Sequence, residues 1–209
     1  MAGSRSGSSP RCGWRIGGCS RCRARRREAG KTSDARLREL RHFPAVAAGE
    51  LPFLMSDGIG VGYGARPTAD GIDAVQSAEY FAGKRVALFS VPGAFTPTCS
   101  AKHLPGFVQA ADQLKAKGVD EIACTAVNDA FVMGAWGQRD GSADVTMLAD
   151  GNGDFAAALG LTMDGSGFGL GLRGQRFSMV VNDGVVEQLN VEGPGEFKVS
   201  SAEYMLDQL

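Results

Sequence analysis

No apolar run in this 209-residue chain approaches the roughly 18 residues that a membrane-spanning helix needs, so such a helix is excluded. The five cysteines are odd in number and irregular in spacing, which makes a poor disulfide framework and favours a reducing compartment. Zinc needs four ligands, and the N-terminal head offers only Cys12, Cys19 and Cys22, with His42 twenty residues further on. Cys19-Ser-Arg-Cys22 has the CxxC form, yet no strand or helix pattern flanks it as a thioredoxin-type redox motif requires. Neither a metal nor a cofactor is therefore expected.

Acidic residues are nearly missing from the first 33 positions, where eight Arg and one Lys face Glu28 alone. That surplus of eight positive charges leaves a net of nine negatives on the remainder, since the whole chain carries -1. A body so acidic argues against a function built on phosphate binding. The head, rich in Gly, Ser and Arg and without helical or strand period, cannot bury enough apolar area to offset the entropy of ordering. It also lacks the apolar centre of a secretory signal. The expected division is a disordered basic head over 1–43, an extension or a transit peptide, and one domain over 44–209. A transit peptide should look amphipathic and this head does not, which favours the plain extension.

What is present sharpens after Gly71. "RVALFSV" (85–91) is a continuous apolar run of strand length, suited to burial on both faces. A helix is expected from about Thr98 to Lys117, kinked at Pro105 and ended by Gly118. "EIACTAV" (121–127) reads as a second buried strand, after which Asn128 can cap the helix "DAFVMGAWGQR". "VTML" reads as a strand and "GDFAAALG" as a short helix closed by Gly160. "RFSMVVNDGVVEQLNVE" is a hairpin turning at Asp183-Gly184, and "SSAEYMLDQL" a helix with Ser200 and Glu203 at capping-box spacing. "GIGVGYGARP", upstream, reads as loop. Strands joined by helical crossovers, with antiparallel strands added at one side, give an α/β fold: a thioredoxin-like mixed sheet with helices on both faces.

In open α/β sheets working residues gather where strands end and helices begin, and Cys99 sits at that junction. Thr96 suits an N-cap and Pro97 the first helical position, which puts Cys99 in the first turn, where free amides favour an anion. The thiolate is the nucleophilic form. Cys124, inside a core strand, reads instead as a small inert hydrophobe. A disulfide exchanger would need CxxC at this turn, and "TPTCSAKH" has one thiol. A lone thiol with a hydroxyl three residues earlier suits attack on a peroxide, leaving a sulfenic acid for another thiol to reduce.

Pro92-x-x-x-Thr96-x-x-Cys99 resembles the peroxiredoxin active-site signature, and "VPGAFTPTCSAKHLPGF" resembles the type II, peroxiredoxin-5-like subfamily. "VNDAFVMGAW" and "RFSMVVNDGVVEQLNVE" extend the likeness over about residues 77–209. The resemblance implies Cys99 as peroxidatic cysteine, Thr96 holding thiolate and peroxide through its hydroxyl, and Pro92 shielding the pocket. It also implies Arg176 as the cation that stabilises the thiolate and polarises the peroxide; the residues alone do not choose Arg176 over Arg173 or Arg139. It implies a homodimer, and the cytoplasm as location, with a mitochondrion or plastid as the alternative if the head is a transit peptide. His103 shares the helix face of Cys99, but a thiolate already formed needs no base, so a hydrogen-bonding or packing role is expected.

Two departures from the family pattern bear on the chemistry. Some type II members carry a resolving cysteine near the segment matching "GPGEFKVSS", and this chain has none there. Cys124 has the other family spacing, twenty-five residues after Cys99, and is the candidate resolving residue, though spacing alone does not bring two sulfurs together. The leading expectation is a one-Cys cycle recycled by glutathione or glutaredoxin, with thioredoxin next. The region before about Thr68 also departs, being glycine-rich where the family opens with a strand pair. "GLGLRG" (169–174) satisfies GxGxxG literally, but a strand follows it where a helix should open, so it reads as a flexible loop positioning Arg176.

The competing class is a non-enzymatic protein that binds nucleic acid through its basic head, an affinity that would be salt-sensitive and non-specific. The two separate cleanly: Cys99→Ser is expected to abolish peroxide consumption, and deletion of residues 1–33 to leave it intact. A binding protein would show the reverse in a gel-shift assay.

Overall fold

A computed structural model describes residues 63–209. The basic head, with Cys12, Cys19, Cys22 and His42, lies outside the described residues. Strands β1 (Tyr63–Thr68) and β2 (Gly71–Gln76) form an antiparallel pair. This corrects the loop expected there for Tyr63–Pro67. Helix α1 (Ser77–Phe81) leads into β3 (Arg85–Ser90). A π-helical turn (Cys99–His103) then runs into α2 (Leu104–Gln109) and α3 (Ala111–Ala116). Next come β4 (Glu121–Ala126), α4 (Ala130–Asp140), β5 (Thr146–Ala149) and α5 (Asp154–Ala158). Short strands β6 (Thr162–Asp164) and β7 (Leu172–Gly174), strands β8 (Phe177–Asn182) and β9 (Val185–Val191), and α6 (Ala202–Gln208) complete the chain.

Among the described residues seven strands make one sheet in the order β2-β1-β5-β4-β3-β8-β9. β3, β4 and β5 are parallel, and every other pairing in that sheet is antiparallel. The pleat sends alternate side chains to opposite faces, and both faces are buried. Ala87, Phe89, Cys124, Ala126 and Met147 join one apolar cluster with Phe107 and Trp136 from the helices on that side. Val86, Leu88, Ala123, Leu148 and Met179 join the other, against Phe81 of α1 and Phe155 of α5. This is the mixed thioredoxin-like sheet with helices on both faces. Gly134 lets α4 lie close on β1, since a Cβ there would sit 2.8 Å from Cβ of Pro67.

Three local expectations are revised. Asp129, not Asn128, caps α4 by accepting the amide of Val132, while the Asn128 side chain accepts the amide of Ala94. Ser201, not Ser200, caps α6, and Ser200 is engaged elsewhere. "GLGLRG" is not a free loop, because Leu172–Gly174 pairs with Thr162–Asp164.

Phe89 is fully buried and stacks on Phe107 with ring centroids 4.1 Å apart. Phe89→Ala is expected to lower unfolding free energy by about 3–5 kcal/mol in urea titrations. Phe168→Ala, at a side chain 84% exposed, should change it by under about 0.5 kcal/mol.

Candidate active site

The turn after β3 places the sulfur. Val91 still pairs, its amide donating to the Thr125 carbonyl, but Pro92 has no N–H and the ladder stops there. Phe95 adopts a left-handed conformation (φ 63°), strained for an aromatic residue, and reverses the chain. The carbonyl of Thr96 then accepts the amide of Ser100 at 3.0 Å, so Thr96 stands at the cap position and Cys99 in the first turn. Thr96 Oγ1 lies 2.8 Å from Cys99 Sγ and 2.8 Å from the carbonyl oxygen of Gly93. A hydroxyl has one hydrogen. With a thiolate it is donated to sulfur; with a thiol, S–H points at Oγ1 and the hydroxyl serves Gly93.

Beyond Cys99 the helix widens into a π-turn. The amide of Leu104 donates to the carbonyl of Cys99, an i→i+5 bond, and Pro105, without an amide, follows at once. The wider turn sets His103 on the same side as Cys99, and both are fully buried. Arg176, half-buried just before β8, reaches both. Its Nη2 donates to Cys99 Sγ at 3.4 Å and its Nη1 to His103 Nδ1 at 3.0 Å.

A guanidinium has donors only, so Nδ1 of His103 must be the bare nitrogen of a neutral ring. Nε2 then carries the proton and donates to the carbonyl of Ser200 at 2.9 Å. Burial, and secondly the charge of Arg176, push the imidazole down to about 3. His103 is thus a neutral hydrogen-bonding relay whose lone pair is already occupied, which leaves it no capacity as a base. The ring of Phe197 lies against His103 (5.0 Å) and under the Arg176 guanidinium (5.7 Å).

The sequence could not choose among three arginines; their partners separate them. Arg173 donates to the carbonyls of Val127 and Leu170. Arg139 pairs with Asp140, donates to Ser100 Oγ, and lies over the Phe95 ring at 4.6 Å. Trp136 Nε1 also donates to Ser100 Oγ, at 2.9 Å, bolting the residue beside Cys99 to α4. Cys124 lies in β4 between Phe89 and Met147, in the same apolar cluster as Cys99. Burial, and then the neighbouring Cys99, push its thiol up, with Arg176 pulling weakly the other way. Pro92 stands half-buried at the end of β3.

Sequence reasoning missed the contribution of Phe197 and of the Ser200 carbonyl. Both belong to a segment without period, and a backbone carbonyl carries no residue-type signal.

The low proton affinity of His103 couples to stability. The unfolded imidazole, near 6.5, gains a proton that the folded ring refuses, so stability is present above pH 6.5 and is lost as pH falls toward about 3. His103→Gln, which retains one donor and one acceptor, is expected to flatten that limb in unfolding titrations between pH 6.5 and 4. An unchanged pH dependence would place the effect elsewhere.

Comparison with known proteins places the chain in a family. The family model described as Redoxin matches residues 56–206. Peroxiredoxin-2E-2, chloroplastic, of Oryza sativa subsp. japonica is 55% identical over 146 residues, covering 68% of this chain and 65% of that protein. Peroxiredoxin-2B of Arabidopsis thaliana is 54% identical over 129 residues, covering 61% and 80%. The matched part is slightly less than two thirds of the chloroplastic relative's length. The crystal structure of reduced Prx3 in complex with h2o2 from Vibrio vulnificus superposes with a TM-score of 0.68 at 53% identity, covering 71% of this chain and 90% of that one. On the family match, the shared fold and these identities, the chain belongs to the Redoxin family and, within it, to the type II peroxiredoxins.

Proposed function

We propose that the chain is a thiol peroxidase that reduces hydrogen peroxide and alkyl hydroperoxides at Cys99. One observation carries the reading: a buried sulfur receives an arginine N–H and faces a threonine hydroxyl, donors aimed where a thiolate and a departing peroxide oxygen would carry charge. The thiolate attacks the terminal hydroxyl-bearing oxygen of the peroxide. An S–O bond forms as the O–O bond breaks, the sulfur supplies the electron pair, and Cys99 becomes a sulfenic acid. The other oxygen leaves as alkoxide or hydroxide and takes a proton from solvent. Arg176 and Thr96 stabilise charge on both oxygens, and Pro92 shields the pocket. A relative's structure titled as a complex with h2o2 supports the substrate.

Recycling needs thiol from outside. A first thiol condenses with the sulfenic acid, releasing water and leaving a mixed disulfide; a second thiol attacks that disulfide and frees Cys99. Cys124 is an unsuitable resolver, because its thiol is buried in the core and held protonated. This supports glutathione or glutaredoxin as reductant over an internal disulfide handed to thioredoxin. Exposed Phe131, Phe168 and Leu172 support a homodimer that covers them. The name of the chloroplastic relative, together with an Arg- and Ser-rich head poor in acids, supports a plastid rather than the cytoplasm.

Peroxide consumption should be sustained by glutathione with glutaredoxin and survive Cys124→Ser to within about twofold, since Cys124 takes no part in the cycle. Arg176→Lys should lower the rate with peroxide by about 10²–10³. Failure with both the glutaredoxin and the thioredoxin systems would defeat the peroxidase reading. Turnover that requires Cys124 would replace the one-Cys cycle.

A further inference from the structure

The segment between β9 and α6, residues 192–201, turns at Pro194-Gly195 and then gathers around one buried carboxylate. Glu192 directs Oε1 at the amides of Lys198 (2.7 Å), Val199 (2.8 Å) and Ser200 (2.7 Å) and at the Ser200 hydroxyl (2.8 Å). Four donors converge on one oxygen. Burial works to raise this carboxyl, but the bonds from the amides of Lys198 and Ser200 outweigh it and hold the group below its usual range. The gathered segment presents the Ser200 carbonyl to His103 Nε2 and lays Phe197 against both His103 and Arg176. At its other end, the amide of Glu192 donates to the carbonyl of Arg176 at 3.0 Å.

These bonds close a circuit. Glu192 is joined to Arg176 through the backbone, Arg176 to His103 through Nη1, His103 to Ser200 through Nε2, and Ser200 back to the carboxylate. We propose that Glu192 is a positioning residue for the sulfur centre, acting through Ser200 and Phe197 to hold His103 in one tautomer and Arg176 aimed at Cys99. The proposal rests on reading Cys99 and Arg176 as the peroxide-reducing pair. It follows the general requirement that a reactive constellation be held by groups which are themselves locked. The second oxygen adds a discriminating detail: Oε2 is buried without a hydrogen-bond partner. An amide placed there would bring two N–H groups with no acceptor, so glutamine matches the shape of Glu192 without replacing it.

The test compares the wild type with Glu192→Gln in the full chain, measuring two reactions of reduced Cys99, each as its rate on the high-pH plateau where the thiol is ionised in both proteins. One reaction is oxidation by hydrogen peroxide, which needs the aimed guanidinium to polarise the O–O bond; the other is alkylation by iodoacetamide, which needs the thiolate but no donor for a departing oxygen. In the variant the peroxide rate should fall about tenfold, the value of roughly one charge-assisted hydrogen bond, while alkylation stays within about twofold. The chain has two histidines, so ring-nitrogen NMR can follow His103, expected as the single Nε2–H tautomer in the wild type and as a tautomer mixture in the variant. A peroxide rate within about twofold of wild type, or both rates falling together, would overturn the proposal. So would an Nδ1–H tautomer in the wild type. Should Glu192→Gln fail to fold, Ser200→Ala removes one of the four donors, and a fall in peroxide rate without a fall in alkylation is the supporting result; unchanged rates overturn the proposal. A wild type whose Cys99 is not oxidised by peroxide would instead defeat the underlying peroxidase reading.

Discussion

The site depends on one guanidinium divided between a sulfur and an imidazole. Cys99 lies wholly inside an apolar cluster, where an unpaired anion would be intolerable. Arg176 supplies the compensating charge from half-buried ground, and its second arm occupies the lone pair of His103. Because arginine does not lose its proton, the imidazole beside it stays neutral. Remove the guanidinium and the cluster is simply a hydrophobic core with a thiol in it, which is the situation of Cys124 in the same cluster.

The fold supplies the means of bringing these groups together. Cys99 follows β3 and Arg176 precedes β8, and these two strands are antiparallel neighbours. Two residues 77 positions apart in sequence therefore meet at one end of one strand pair, Arg176 directly before β8 and Cys99 beyond the turn that follows β3. The bolt from Trp136 and Arg139 to Ser100 fixes the helix start from the other side. Function and packing share residues here: Phe89 is core to the sheet and also a wall of the His103 cavity, 4.8 Å from the imidazole.

Much of this was legible from residues alone. The buried runs at 85–91 and 121–127 carry strand signals strong enough to be placed without context. The position of Cys99 behind Thr-Pro-Thr at a strand-to-helix junction singled it out from Cys124, and the structure places Thr96 and Arg176 against its sulfur. Arg176 was different: three arginines lie within reach by sequence, and only the register of β8 against β3 selects one, which a family likeness had to supply. Caps were misplaced by one residue at Asn128 and Ser200, because each neighbours another capping residue and tertiary bonds claimed the first. Glu192 was invisible. Its partners are backbone amides six to eight residues away, and amides are present at almost every position.

The wide turn from Cys99 to His103 sets what the loss of a single residue here would do. A π-turn holds one residue more than the α-turn it replaces. Removing a single codon between the two would restore a regular helix and rotate everything beyond it by about 100° relative to Cys99. The imidazole would swing away from the guanidinium, and the packed face of α2 would turn with it. Replacement of Lys102 or Ala101, both exposed, leaves the count untouched. Along this stretch, then, the number of residues bears on the site as much as the identity of Cys99, Ser100 and His103 does.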